Sequence, residues 1–265
     1  MSATGQYATT TNLNVRMALH QHFSTNPQGW VPWIWTQVGL RAQQRILEVG
    51  CGTGSLWAER AESVPEGVRI VLSDTSRAML RAAQTRLGGR SAFSVMAADA
   101  QCLCFADGAF DVVLANHMLY HVADRGRALA EIARVLAPSG ALYATTPGRG
   151  NLSELGSLLS GFDARIAYSA TGVTEGFCLE NGAAQLAAFF GSVTLLRYPD
   201  SLHVTEPGPL VDYVLSLRGT HSGVDAITPD RADAFRGYIG EIIAHRGAID
   251  IRKDAGMFIA AEPLG

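Results

Sequence analysis

Long apolar runs are missing from this 265-residue chain, and so are the cysteine patterns of a disulfide framework or a zinc site. No apolar segment approaches the ~20 residues that a membrane-spanning helix requires, and residues 1–20 show no signal-peptide pattern. The four cysteines form no Cys-x-x-Cys pair, which is typical of reduced thiols. The sequence therefore predicts a cytoplasmic protein without a membrane partner and without a bound metal.

Charge is also scarce, because only 17% of the residues are charged and the formal net charge is −3. Nucleic-acid binding depends largely on Lys and Arg contacts to phosphates, so nucleic acid is not expected as a partner. Hydrophobic residues make up 48% of the chain, which suffices for the large core of one enzyme domain. A homo-oligomer is compatible with this composition.

The most informative stretch has the sequence ILEVGCGTG at 46–54, an apolar strand with an acid near its end that leads into a helix. Gly50, Gly52 and Gly54 allow the backbone a close approach to a ligand. The stretch lacks the last glycine of the dinucleotide fingerprint and the Lys-Ser/Thr pair of a P-loop. A buried Glu48 would repel a pyrophosphate but suits a cationic amino-acid group. The pattern favours an extended nucleoside ligand with a positive charge, namely S-adenosylmethionine. The alternative is a plain strand–turn–helix unit with a hydrogen-bonded glutamate.

Acids at the ends of the next two predicted strands support a nucleoside ligand. Asp74 ends the second strand, 20 residues beyond the glycine loop, where an acid can bind ribose hydroxyls. Thr75 and Met79 follow at the start of a capped helix. Asp99, next to Ala100, ends the third strand and can accept a hydrogen bond from an adenine amino group. Either acid alone could be a helix cap or a turn residue, but two in succession favour the ligand.

With these motifs the chain resembles the class I S-adenosylmethionine-dependent methyltransferases, in the group that includes ubiquinone/menaquinone-type enzymes and is called methyltransferase type 11. The resemblance covers roughly residues 40–150 and is specific for fold and cofactor but not for substrate. The motifs that carry it are ILEVGCGTG at 46–54, VLSDTS at 71–76, AADAQCLCFADGAFDVVLANHMLYHV at 97–122 and ALAEIARVLAPSGALYATTP at 128–147. Cys104 is a departure, since the family usually has proline before the phenylalanine.

The resemblance implies an α/β, Rossmann-like, doubly wound sheet of seven mostly parallel strands with substrate-covering helices. It also implies S-adenosylmethionine as cofactor and S-adenosylhomocysteine as product. The cofactor contacts that it implies are Glu48 and Gly50 at the methionine end, Asp74 at the ribose, Asp99 and Ala100 at the adenine, and Asn116 beside the sulfonium. Gly52, Thr75, Met79 and Tyr7 complete the predicted cofactor-binding set.

Strands and helices alternate up to about residue 146, as expected for a parallel sheet. The predicted strands are 45–50, 68–74, 91–97, 110–116, 140–146, 193–198 and 257–261. The predicted helices are 54–63, 76–87, 124–137, 151–160, one ending at 186–190, 209–217 and 231–245. We expect a single methyltransferase domain over 1–265, divided into an N-terminal lid arm (1–36), a cofactor-binding core (37–150), a substrate-covering region with strand six (151–245) and a closing strand (246–265).

The N-terminal arm holds three of the four tryptophans. We interpret its first part, including Tyr7, as a lid over the cofactor. The alternative is ordinary packing on the first helix and the sheet edge, which we favour for Trp30, Trp33 and Trp35.

The segment Asn116–His121 follows strand four at the carboxyl edge, where open α/β sheets bind ligands. We expect His117, Tyr120 and His121 to be the catalytic residues, because methyl transfer mainly needs an aligned acceptor and a histidine can act as a base. The alternative is a structural histidine. A metal site is disfavoured because the zinc-protease glutamate is missing from His-x-x-x-His.

The aromatic residues of 150–245 are compatible with an apolar acceptor pocket, although packing is the better interpretation for each one taken singly. We expect methyl transfer to the oxygen, nitrogen or carbon of a small hydrophobic or aromatic metabolite, as in bacterial natural-product biosynthesis. The alternatives are a non-catalytic cofactor-binding scaffold and an NAD-linked oxidoreductase. A protein or RNA methyltransferase is disfavoured, since strand four continues as Asn-His-Met-Leu instead of Asn-Pro-Pro-Tyr.

Overall fold

The computed structural model describes residues 10–166, 168, 172, 174–219 and 223–264, with the backbone alone at 10, 11, 13 and 14. Its α-helices are α1 (Thr10–Phe23), α2 (Trp30–Val38), α3 (Ser55–Ala58), α4 (Arg77–Leu87), α5 (Arg125–Val135), α6 (Glu154–Phe162), α7 (Gly182–Leu186), α8 (Pro207–Ser216) and α9 (Ala232–Arg246). Its strands are β1 (Arg45–Val49), β2 (Arg69–Asp74), β3 (Phe93–Ala97), β4 (Phe110–Asn116), β5 (Leu136–Pro147), β6 (Phe190–Val204) and β7 (Ile249–Pro263). Short 3₁₀ turns cover Leu119–His121, Val224–Ala226 and Pro229–Arg231.

The seven strands form one sheet in the order β3-β2-β1-β4-β5-β7-β6. The ladders between β1 and β2, β1 and β4, β2 and β3, and β4 and β5 are parallel. The chain order reverses between β1 and β4, so the carboxyl ends of these two strands mark the switch point at which such sheets bind ligands. The predicted Rossmann-like α/β fold with a seven-stranded, mostly parallel sheet is confirmed.

Most of the predicted elements are present, with shifted ends. Strand 110–116 has the predicted bounds, while β6 and β7 are much longer than the predicted strands and α3 is shorter than the predicted helix. The sequence predicts no bounds for α1 and α2, because their apolar residues follow no clear helical spacing.

The chain forms two compact units. The sheet unit consists of Trp30–Pro147, Gly176–Tyr198 and Gly256–Gly265, and the helical unit consists of Met1–Gly29, Gly148–Glu175 and Pro199–Ala255. The residues of β6 and β7 are divided between the two units. The division into lid arm, core, covering region and closing strand remains a prediction.

Each unit has its own apolar core. In the sheet unit, one core cluster includes Leu47, Val113 and Ile132, and another includes Ile46, Trp57 and Leu72. These clusters follow from the nearly continuous apolar runs of the central strands, since a parallel sheet is covered on both faces. The core of the helical unit is built by residues such as Leu19, Val214, Phe235 and Ile251. Within the described part of the chain, no helix combines the length and the apolar character needed to cross a membrane.

Candidate cofactor and acceptor site

The glycine loop between β1 and α3 adopts the conformations that its sequence predicts. Gly50 and Gly52 have φ angles of +65° and +55°, a region that side chains with a Cβ rarely enter. A Cβ on Gly50 would also lie 2.8 Å from the Cβ of Met118, whereas a Cβ on Gly52 would meet no atom within 4 Å. Gly50 is therefore required by packing, and Gly52 leaves an open approach to the backbone of the loop.

Glu48 is buried at the end of β1, with 1% of its surface exposed. The indole Nε1 of Trp57 donates to its Oε2 at 2.7 Å, and no other described residue donates to this carboxyl group. Burial raises the pKa of Glu48 to about 8; the Trp57 hydrogen bond opposes this rise, and the nearby charge of Asp74 adds to it. A cation placed here would restore the carboxylate. The residue therefore fits the ammonium group of a bound amino acid.

Asp74 supports the glycine loop from the end of β2. Its Oδ2 accepts from the backbone N–H of Gly52 at 3.0 Å, and its Oδ1 accepts from that of Ser76 at 2.8 Å. A carboxylate has about four acceptor positions, so each oxygen can accept a further hydrogen bond. Asp74 can thus bind ribose hydroxyls while it holds the loop.

Asp99 lies in an exposed turn after β3. Its carboxylate accepts from the backbone N–H of Gln101 at 2.9 Å and from the Gln101 side chain at 3.0 and 3.1 Å. The backbone of Asp99 forms a bridge with Cys102. The neighbouring Ala100 is buried, with 6% exposed. The turn is held in place by its own hydrogen bonds, and the exposed carboxylate can accept another.

The remaining predicted cofactor contacts differ from one another in exposure and in hydrogen bonding. Thr75 is exposed after β2, whereas Met79 is 1% exposed inside α4 and offers almost no surface to a ligand. Asn116 ends β4, and its Oδ1 accepts from the hydroxyl of Thr145. Tyr7 lies outside the described residues. All four assignments remain predictions.

The turn after β4 brings the three predicted catalytic residues together. The ring centroids of His117 and Tyr120 are 6.4 Å apart, and those of Tyr120 and His121 are 4.4 Å apart. All three side chains are half-buried. His117 has a φ of +51°, which is uncommon for a residue with a side chain and occurs preferentially at functional sites.

Trp30, for which the sequence favours ordinary packing, contacts a predicted catalytic residue. Its ring centroid lies 5.2 Å from that of His117, and it is half-buried. Trp33 and Trp35 are buried, with 7% and 4% exposed, as expected for packing. The sequence gives no signal that separates Trp30 from the other two.

Three further residues support the site, and among them the sequence predicts only the capped start of α4. Trp57 donates to Glu48, Ser76 caps α4 through its hydroxyl, and Thr145 bonds both Asn116 and His117. For Trp57 and Thr145, the only signal in the sequence is a polar group near the end of a predicted strand.

Most aromatic residues of 150–245 that the structure describes pack against neighbours. Phe162, Phe235 and Tyr238 contact one another in the helical unit, and Phe177 packs on Phe258 in the sheet unit. For these residues, packing is the interpretation that the structure supports.

Comparisons with known proteins match the segment that contains the glycine loop and the turn after β4. Residues 47–144 match the family model described as a methyltransferase domain. The chain is 39% identical over 114 residues to malonyl-[acyl-carrier protein] O-methyltransferase of Legionella pneumophila, covering 43% of this chain and 40% of the relative. It is 30% identical over 131 residues to the ubiquinone/menaquinone biosynthesis C-methyltransferase of Pectobacterium carotovorum, covering 48% and 52%. The chain thus spans about half the length, or less, of these curated relatives.

A solved structure shares the fold over nearly the whole chain. Phosphoethanolamine N-methyltransferase 2 of Haemonchus contortus, in complex with phosphomonomethylethanolamine and S-adenosylhomocysteine, superposes with a TM-score of 0.59 at 20% identity. The superposition covers 98% of this chain and 59% of that protein. The fold and the site define a class I S-adenosylmethionine-dependent methyltransferase domain. Within that class, residues 47–144 are similar to the methyltransferase type 11 group, whose cofactor is S-adenosylmethionine.

Proposed function

We propose that this chain transfers a methyl group from S-adenosylmethionine to a small hydrophobic or aromatic acceptor. The observation that carries the proposal is Glu48, a buried carboxyl group that has one donor among the described residues and lies beside an open glycine loop. Bound S-adenosylmethionine supplies a methyl group activated by its positively charged sulfur. The chain itself has to bind the cofactor, align the acceptor and, for some acceptors, remove a proton.

We assign the cofactor contacts according to the geometry of the strand ends. Glu48 binds the ammonium group, Asp74 the ribose and Asp99 the adenine amino group. The backbone of Gly50, Gly52 and Ala100 approaches the ligand, and Asn116 lies near the reacting methyl group. The proposed contacts of Thr75, Met79 and Tyr7 rest on the sequence alone.

The acceptor is placed against the turn after β4. His117, Tyr120 and His121 carry the polar groups of this turn, and a histidine there can hold an acceptor hydroxyl or take its proton. The named relatives are an O-methyltransferase and a C-methyltransferase, so similarity leaves oxygen, nitrogen and carbon open as the methylated atom. We place the reaction in bacterial natural-product metabolism in the cytoplasm.

The first test is mass spectrometry of the purified protein for retained S-adenosylmethionine or S-adenosylhomocysteine. A panel of phenols, amines and acidic carbon compounds is then offered with a radiolabelled methyl donor. Bound cofactor without transfer to any acceptor class would favour the scaffold alternative. A protein that binds neither cofactor form would contradict the proposal.

The roles of the two histidines are separated by substitution. If His117 or His121 is a base, its replacement by alanine should lower turnover by ~10²-fold or more, and the wild-type rate should rise with pH through the titration of that histidine. If it only positions the acceptor, its replacement by asparagine should retain much of the rate. Wild-type turnover in both alanine variants would exclude both roles.

A further inference from the structure

His117 needs support from outside its own turn, because its backbone is in the left-handed region at φ +51°. For a residue with a side chain this conformation is unfavourable, and it persists only where the surrounding structure fixes it. Two contacts from different elements supply that support, one to the backbone and one to the ring.

Thr145 holds the backbone of His117. This residue of β5 is 2% exposed and lies in register with Asn116 of β4. Its Oγ1 accepts from the N–H of His117 at 3.0 Å, and its carbonyl oxygen accepts from the same N–H at 3.2 Å. The Thr145 hydroxyl also donates to Oδ1 of Asn116. One hydroxyl therefore fixes both residues that follow the apolar part of β4.

Trp30 holds the ring of His117. The two ring planes are inclined by only 33° at a centroid distance of 5.2 Å. Trp30 is itself fixed, since it stacks on Trp33 at 5.2 Å and meets Tyr198 edge-on at 5.1 Å. Both of these neighbours are buried. The imidazole is thus supported by an aromatic cluster that has little freedom to move.

We propose that Trp30 and Thr145 are positioning residues, which hold the imidazole of His117 in the orientation that acceptor alignment requires. This inference rests on the proposed function of His117. Methyl transfer depends on geometry to within about 1 Å, so the orientation of an imidazole that aligns the acceptor affects the rate. A merely structural role would predict that loss of these contacts lowers stability but leaves kcat unchanged in the variants that still fold.

The test for Thr145 uses NMR of the imidazole protons in the complex with S-adenosylhomocysteine. The His117 signals are identified by their loss in His117→Gln. In Thr145→Val they should shift or broaden, while Thr145→Ser, which retains the hydroxyl, should restore the wild-type spectrum. Thr146→Val is the matched control, because the neighbouring hydroxyl is equally buried but donates to the carbonyl oxygen of Phe177. This control should leave the His117 signals in place.

The test for Trp30 compares Trp30→Leu with Trp30→Phe. The leucine variant should displace the His117 signals and lower kcat by about 10- to 100-fold with any acceptor that the wild type methylates, with acceptor KM changed less than threefold. The phenylalanine variant keeps an aromatic face and should recover at least a third of kcat. Thermal melting of every variant identifies losses that are due to unfolding.

Wild-type His117 signals in folded Thr145→Val and Trp30→Leu would overturn the inference, whatever the activity. Displaced signals together with full turnover in His117→Ala would instead support the two positioning contacts and refute the proposed role of His117. The two failures are therefore distinguishable.

Discussion

Two buried carboxyl groups, one in each compact unit, differ in the number of hydrogen-bond donors around them. Asp200 of the helical unit has a fully buried side chain that accepts from the Ser24 hydroxyl at 2.9 Å and from the backbone N–H groups of Thr25 and Asn26 at 3.1 Å. The ammonium group of Lys253 binds its other oxygen. Glu48 of the sheet unit has a single donor in the described part of the chain, the indole of Trp57.

The pKa values of the two groups shift in opposite directions as a result. Burial by itself raises the pKa of Asp200, but the hydrogen bond and charge of Lys253, with Ser24 and Asn26, lower it below the usual value overall. Burial raises the pKa of Glu48 to about 8 against the single bond from Trp57. A carboxylate that the protein satisfies contributes to the stability of the fold. A buried carboxyl group with few donors in the protein is instead suited to bind a cation from a ligand.

The largest expected effect is the loss of stability in Asp200→Ala. The change takes the Asp200 carboxylate away from the buried Lys253 ammonium group and removes the acceptor of several N–H groups. Breaking a buried pair in this way costs about 3–5 kcal/mol. Denaturant unfolding should show this loss, while the affinity of the folded variant for S-adenosylhomocysteine stays within twofold.

The matched control for this variant is Asp250→Ala. Asp250 pairs with His203 at 2.7 Å, but both side chains are more than half exposed, and such pairs contribute at most about 1 kcal/mol. Equal losses of stability in the two variants would contradict the view that burial distinguishes Asp200.

A smaller effect is expected for Asp74→Ala, and it should fall on ligand affinity. The change removes the acceptor of the Gly52 and Ser76 N–H groups together with the proposed ribose contacts. Hydrogen bonds to a charged group contribute about 1.5–3 kcal/mol each. Calorimetry should therefore show at least a tenfold loss of affinity for S-adenosylmethionine.

Asp111→Ala provides the comparison for Asp74. Asp111 also accepts a backbone N–H, that of Arg45 at 2.8 Å, but it lies where β1 and β4 begin, far along both strands from the glycine loop. Its loss should leave cofactor affinity unchanged. Unchanged affinity in Asp74→Ala would exclude the ribose assignment.

The cofactor half of the sheet could be predicted from the sequence because its signals are local. Glycines with positive φ, acids at strand ends and apolar runs are each set by a few neighbouring residues, and Gly50, Gly52 and Asp74 lie where such rules place them. The bounds of β6 and β7 could not be predicted, because strands of 15 residues with irregular burial lack the period-two pattern that marks a half-buried strand.

The contacts that support the site residues could not be predicted from the sequence, for a different reason. Trp57 lies nine residues after Glu48, and Thr145 lies 28 residues after His117. In each case the contact joins two different elements. Trp30 contacts the ring of His117, and no pattern in the sequence distinguishes it from Trp33 and Trp35. Such contacts depend on strand register and helix packing, which no local pattern specifies.

The smallest expected effect at neutral pH, and the most diagnostic, belongs to Glu48→Gln. Below about pH 8 the ligand-free carboxyl group holds its proton, whereas binding of an ammonium group requires the carboxylate. Binding to the wild type should therefore release close to one proton between pH 6 and 7, and affinity should rise with pH by up to tenfold per unit. The glutamine variant keeps an acceptor for Trp57 and should lose about threefold to tenfold in affinity at pH 7, with no pH dependence from this site.

Calorimetry in two buffers of different ionisation enthalpy measures the released protons. Glu131→Gln is the control, because Arg134 lowers the pKa of Glu131 and that group is already ionised in this range.

Without ligand, the raised pKa of Glu48 has the opposite consequence for the fold: wild-type stability should fall as pH rises from about 5 to 8, since the unfolded chain ionises freely and the folded chain resists ionisation. The glutamine variant should lack this fall. Proton release that persists in Glu48→Gln would assign the linkage to another group and remove Glu48 from the ammonium site.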